Sequence, residues 1–242
     1  MASKGRKRGS EGRRGGSEGR RGGSEGRRGG SEGRRGGSAR SNRISRHRAS
    51  RQDDHLSRRA RNEGFAARSV YKLDELQRRL SLVKPDDAVL DLGAAPGSWS
   101  ARLLELTDGP VVSIDLQHIE RIERAGRSAT VIQGDFTEEA TTSKLIELGP
   151  FDVVLSDAAP ATTGNRALDT TRSAALVESA LALCASVLKH GGNAAFKLFQ
   201  GGDEQRLLSE MRQRFEAAKQ LKPKASRDES FEVFLIGVGF RG

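Results

Sequence analysis

The chain has 242 residues, 35% hydrophobic and 31% charged, which allows one domain of ordinary size plus an appendage. Its net charge of +10 is uneven: residues 1–61 hold 20 Lys and Arg against 6 Asp and Glu, whereas residues 62–242 hold 22 against 26, so the basic character belongs to the tail. No apolar run is long enough to cross a bilayer, the amino terminus lacks the apolar stretch of a secretory signal, and the single Cys184 excludes a disulfide framework; a cytoplasmic monomer with Cys184 in its core is expected.

In chain order, the unit Gly-Ser-Glu-Gly-Arg-Arg starts at Gly9 and recurs at Gly16, Gly23 and Gly30, a period of seven with no apolar position. A coiled coil needs two hydrophobic places per heptad, so residues 1–50 are expected to be a disordered basic tail, and residues 51–242 one domain. Closely spaced arginines displace counterions from nucleic acid, so the tail is either a solvated spacer or an arm that contacts RNA phosphates. From Arg68 to Leu82, Val70, Leu73, Leu76 and Leu80 recur at helical spacing, and Pro85 ends the pattern. Strands are predicted over residues 88–92, 111–116, 130–133, 151–156, 193–199, 220–224 and 231–240. Helices are predicted over 98–107, 138–148, 170–188 and 203–219. Alternating strands and helices with near-continuous apolar strands predict a doubly wound α/β fold, in which ligands sit beyond the carboxyl ends of the strands.

Three features in order address a ligand at that edge. Asp91-Leu-Gly-Ala-Ala-Pro-Gly-Ser-Trp99 runs from the first strand into a helix. It lacks the Lys-Ser/Thr of a phosphate-gripping loop and has only Gly93 and Gly97 of a dinucleotide fingerprint. Asp115 ends the second strand eighteen residues after Gly97, a place from which a carboxylate reaches a ribose diol. Asp135 follows the third strand, where it can accept a hydrogen bond from an adenine amine. Nucleoside contacts without a phosphate grip point to S-adenosylmethionine as cofactor.

Beyond the fourth strand stands Asp157, and Lys197 lies at the end of an apolar strand, an unusual place for a lysine. Lys72 lies in the helix before the first strand, where a solvated flank lysine would be ordinary, and Glu232 opens the last strand. If that strand is antiparallel to the rest, Glu232 joins Asp157 and Lys197.

The motifs Arg68-Ser-Val-Tyr-Lys-Leu-Asp-Glu75, Asp91–Trp99, Gln133-Gly-Asp-Phe136, Ser156-Asp-Ala-Ala-Pro160, Phe196-Lys-Leu-Phe-Gln-Gly201 and Ser230-Phe-Glu-Val-Phe-Leu-Ile236 carry a resemblance in sequence order. Over roughly residues 54–242 the chain resembles the FtsJ/RrmJ-type RNA ribose 2′-O-methyltransferases, above all the branch acting on a uridine of large-subunit (23S) ribosomal RNA. The resemblance implies a Rossmann-like seven-stranded sheet with an antiparallel last strand. It also implies a catalytic tetrad of Lys72, Asp157, Lys197 and Glu232, with cofactor contacts at Gly97, Trp99, Asp115, Asp135 and Asp157. Two departures, Ser98 and the pair Ala158-Ala159, leave the tetrad intact. The tail is outside the family pattern.

The chemistry so implied is in-line displacement: the ribose oxygen attacks a sulfonium methyl, which demands alignment and removal of one proton, and no metal. Desolvation and a second cation favour a neutral lysine, carboxylates the opposite, and the sequence leaves open which lysine takes the proton. Rival expectations are methylation of a protein or small molecule on the same fold, methylation of transfer RNA or a messenger cap, and a noncatalytic RNA-binding ribosome-assembly factor. With one tryptophan and one tyrosine, extensive base stacking by those rings is not expected.

Overall fold

The computed structural model describes residues 55–227 and 230–242; the expected tail, residues 1–50, lies outside the described residues. Helix α1 is seen over residues 55–62. Helix α2 (Val70–Leu80) buries Leu73 and Leu76 and leaves Lys72 beside that apolar stripe. Strand β1 (Val89–Leu92) then leads into α3 (Ser98–Leu106), β2 (Val111–Asp115), the hairpin β3 (Glu123–Arg124) and β4 (Arg127–Ser128), and β5 (Thr130–Gln133). The second half runs α4 (Glu139–Leu148), β6 (Phe151–Ser156), α5 (Arg166–Val187), β7 (Leu188–Phe199), α6 (Glu204–Arg214), β8 (Phe215–Leu221) and β9 (Glu232–Phe240).

Seven strands form one sheet in the order β5-β2-β1-β6-β7-β9-β8. Pairing is parallel except at β9, which runs antiparallel to both neighbours, as the resemblance implies. One face is covered by α4, α5 and α6 through Leu145, Val177, Leu181, Leu207 and Met211. The other is covered by α2 and α3 through Leu73, Leu76 and Leu103. The strand order reverses at β1, which lies between β2 and β6, so the crevice expected of a doubly wound sheet opens between the loops after β1 and β6.

The second half departs from the predicted elements at two places. The helix expected over 203–219 ends at Arg214, and Phe215–Leu221 is a strand. Glu-Ala-Ala-Lys has helical propensity, but Phe215 is fully buried against Phe240, with ring centroids 5.2 Å apart, and lies over Gly237 of β9. Cross-strand packing overrides local preference there. Likewise β7 begins at Leu188 rather than at residue 193, and Gly191 and Gly192 lie in a bulge of it, where its partners jump from Phe151↔Leu188 to Val153↔Asn193. The β3–β4 hairpin, too short to show a period, turns through Ala125 and Gly126, both at positive φ. Cys184 is buried in the core, where burial pushes its thiol up to about 12. Among the described residues no helix is long and apolar enough to cross a membrane.

Candidate active site

Four charged side chains, from α2, β7, β9 and the loop after β6, meet at the carboxyl edge of the sheet. Lys197 points from the end of β7 on the face that carries Ala195, and is itself buried. Its ammonium lies 3.0 Å from Asp157 Oδ1 and also donates to the Asp157 carbonyl oxygen. Lys72 on α2 reaches the same carboxylate at 3.6 Å and pairs with Glu232 at 2.6 Å. The antiparallel course of β9 makes this possible, because Glu232 begins β9 opposite Phe199, which ends β7.

The supports of this cluster come from the packing of α2. Trp99 donates its indole N–H to the Ser69 carbonyl at 2.8 Å, and Arg102 of α3 pairs with Asp74 at 2.7 Å. Glu75 accepts the Lys224 N–H at 2.6 Å and Arg68 donates to the Ala225 carbonyl at 2.7 Å, so the segment leading to Glu232 is tied to the helix that bears Lys72. Burial would raise the Glu232 carboxyl, but the ammonium groups of Lys72 and Lys197 more than offset it and hold the group below the usual carboxylate range.

Beside the cluster lies a cleft of about 930 Å³ between the loops after β1, β2, β5 and β6. Asp115, Asp135 and Asp157 all line it, with Gly93, Ala95, Leu116 and Arg172 among the others. Gly93, at φ +74°, lets the first loop approach the last: a Cβ there would sit 2.5 Å from that of Ala158. Asp115 accepts the N–H groups of Ala95 and Gln117 at 3.0 and 2.8 Å, and Asp135 Oδ1 accepts the N–H and hydroxyl of Thr137 at 2.8 and 2.7 Å. Acceptor-rich walls of this kind suit hydroxyl, amine and cationic groups rather than phosphates. Asp157 belongs to both cleft and cluster.

The family model for FtsJ-like methyltransferases matches residues 65–240. The chain belongs to the FtsJ-like methyltransferase family. Among relatives named ribosomal RNA large subunit methyltransferase E, that of Treponema denticola is 45% identical over 193 residues, covering 79% of this chain and 96% of the relative. That of Syntrophobacter fumaroxidans is 47% identical over 191 residues, covering 78% and 96%. A crystal structure described as a ribosomal RNA methyltransferase of Plasmodium falciparum superposes with a TM-score of 0.65 at 26% identity, over 74% of this chain and all of that one.

Within this FtsJ-like domain the structure brings Lys72, Asp157, Lys197 and Glu232 together and sets Asp115, Asp135 and Asp157 on the cleft. Two residues expected as cofactor contacts are not among those lining the cleft. The Trp99 ring is buried and stacks on Phe234 with centroids 5.7 Å apart, so its side chain serves the core. Gly97 precedes α3 at φ +99°, where a Cβ would lie 3.1 Å from the Ile122 side chain. Sequence reasoning missed Leu116, which is 67% exposed beside Asp115, and Arg172 of α5, for which no motif gives a signal. It also passed over Asp91. That side chain is buried within β1, its Oδ2 accepts the Ser100 hydroxyl at 2.6 Å, Oδ1 has no partner, and burial pushes the carboxyl up to about 7. A charge inside an apolar strand, the signal that picks out Lys197, would have found it.

Proposed function

We propose that this chain transfers a methyl group from S-adenosylmethionine to the ribose 2′-hydroxyl of a uridine in large-subunit ribosomal RNA, acting in the cytoplasm on the ribosomal subunit. The observation that carries the reading is the double membership of Asp157, which lines the cleft and is ion-paired to two lysines. The cleft's chemistry fits the cofactor: Asp115 would take the ribose hydroxyls, Asp135 the adenine amine and Asp157 the charged methionine end. When bound, the cofactor supplies an electrophilic methyl carbon on a sulfonium.

The chain's own residues align and deprotonate the acceptor. Lys72, paired at 2.6 Å with Glu232, is the standing cation that orients the hydroxyl oxygen. Lys197 Nζ donates to the carbonyl oxygen of Asp157 and lies 3.0 Å from its carboxylate. Held there, Lys197 is the group placed to take the hydroxyl proton. Asp157 therefore fixes the orientation of Lys197 through two atoms. The basic residues 1–50, with sixteen Arg and Lys against four Glu, supply sequence-independent affinity for RNA phosphates.

The relatives' printed names support the acceptor, since they are called large subunit methyltransferases of ribosomal RNA. The test offers methyl-labelled cofactor with unmodified large subunits, transfer RNA and capped messenger RNA, and locates the label by nucleoside mass spectrometry. Label is expected on 2′-O-methyluridine from the large subunit. Label on a base or on protein would overturn the ribose assignment.

A further inference from the structure

Immediately beyond the lysine and carboxylate cluster, the carboxyl edge carries three side chains that methyl transfer does not use. Phe199 follows Lys197 by two residues in β7, so it leaves the strand on the same face, and it lies opposite Glu232 in the ladder. Its ring packs against Phe231 with centroids 4.9 Å apart and planes at 59°. The Arg166 guanidinium lies 4.9 Å from the Phe231 ring centroid, with a nitrogen 3.5 Å from the Gln200 carbonyl oxygen. Arg166 is exposed and both rings are half-buried.

These groups are held in place. Asn165 caps α5 by accepting the N–H groups of Ala167 and Leu168, which fixes Arg166 as the first helical residue. Gln200 donates its N–H to the Phe231 carbonyl at 2.8 Å, and Phe199 donates its N–H to the Ser173 hydroxyl at 2.9 Å. The other large rings near the edge are unavailable to a ligand, because Trp99 and Tyr71 are buried. A strand rise of about 3.3 Å per residue sets Phe199 about 7 Å beyond Lys197. That is the scale of one nucleoside, and single-stranded bases are held by stacking on aromatic rings and guanidinium planes.

We infer that Phe199, Phe231 and Arg166 form a nucleobase platform that stacks a base of the acceptor RNA strand on the outward plane of the Arg166 guanidinium, an inference that rests on the RNA reading above. The platform reads a π face rather than a hydrogen-bonding edge, so it positions the strand without selecting the base.

The experiment titrates full-length protein into a single-stranded oligoribonucleotide carrying one 2-aminopurine, and needs no methyl transfer. Wild-type protein should quench the fluorescence. Arg166→Lys, which keeps the charge but loses the plane, and Phe231→Leu, which keeps the apolar bulk but loses the ring, should each weaken binding by about five- to tenfold and abolish the quench. The salt dependence of Arg166→Lys should match wild type, because the number of cations is unchanged. No quenching by wild type would overturn the platform, as would unaltered quenching by both variants. So would loss confined to Arg166→Ala with Arg166→Lys behaving as wild type, which would make Arg166 a phosphate contact. If quenching behaves as expected but mass spectrometry finds no ribose methylation, the platform stands and the proposed reaction fails.

Discussion

At the scale of single residues, the two lysines of the cluster have separable duties. Lys197→Ala removes the proposed proton acceptor but no lining of the cleft, so kcat should fall by about 10²- to 10⁴-fold with cofactor affinity retained in calorimetry. Full turnover with cofactor bound would sink its role as base. Glu232→Gln takes the charged partner from Lys72 in a mostly buried pair and should cost about 1–3 kcal/mol in denaturant unfolding at pH 7. Because the folded carboxyl is depressed, that contribution is present above the unfolded value near 4.5 and is lost as pH falls through the folded value, so the difference between Gln variant and wild type should shrink in acid. Asp91 has the opposite sign. Its carboxyl is raised by burial from 3.8 to about 7, so the folded state holds a proton that the unfolded chain releases, and stability declines as pH rises through that interval. At about 1.4 kcal/mol per unit, Asp91→Asn should gain a few kcal/mol relative to wild type between pH 4 and pH 7. A pH-independent difference would show that the buried carboxyl is ionised throughout.

At the scale of elements, the loops after β1 and β6 act as one object because Gly93 and Ala158 touch. Gly93→Ala meets both a 2.5 Å overlap and a positive φ, so it should part the two loops. Cofactor affinity should drop by at least tenfold in calorimetry while circular dichroism keeps the α/β signature; unchanged affinity would show that the loops do not meet in solution. Legibility from sequence follows the same division. β2 and β6 are readable because buried parallel strands are mostly apolar, and Asp157 and Lys197 are readable as charges at strand ends. Lys72 and Glu232 gave no such signal: one lies on a helix flank and the other depends on the direction of β9, which only pairing determines. Phe215–Leu221 was misread because its strand state is set by Gly237 and Phe240, far along the chain. The resemblance implies a cofactor contact at Trp99, whereas the packing partner of its ring, Phe234, is 135 residues away and invisible to local pattern.

At the scale of the whole molecule, charge is divided between a basic stretch and a body that is slightly acidic. Removing residues 1–50 takes away a net +12, so RNA affinity should fall most at low salt and the slope of log affinity against log salt should flatten. A salt slope equal to that of the full chain would reduce the segment to a spacer. The sheet order has a consequence in time as well as in space. β9 is the last strand in chain order yet lies between β7 and β8, so β8 has no partner in the sheet until β9 has arrived. The rim that holds Lys197 and Glu232 is thus the last part of the sheet to close, and its pairing spans distant parts of the chain, a topology that slows folding. During refolding, protection of β8 amides from hydrogen exchange should rise later than that of β1 and β2, so that methyl-transfer competence arrives only with the final strand.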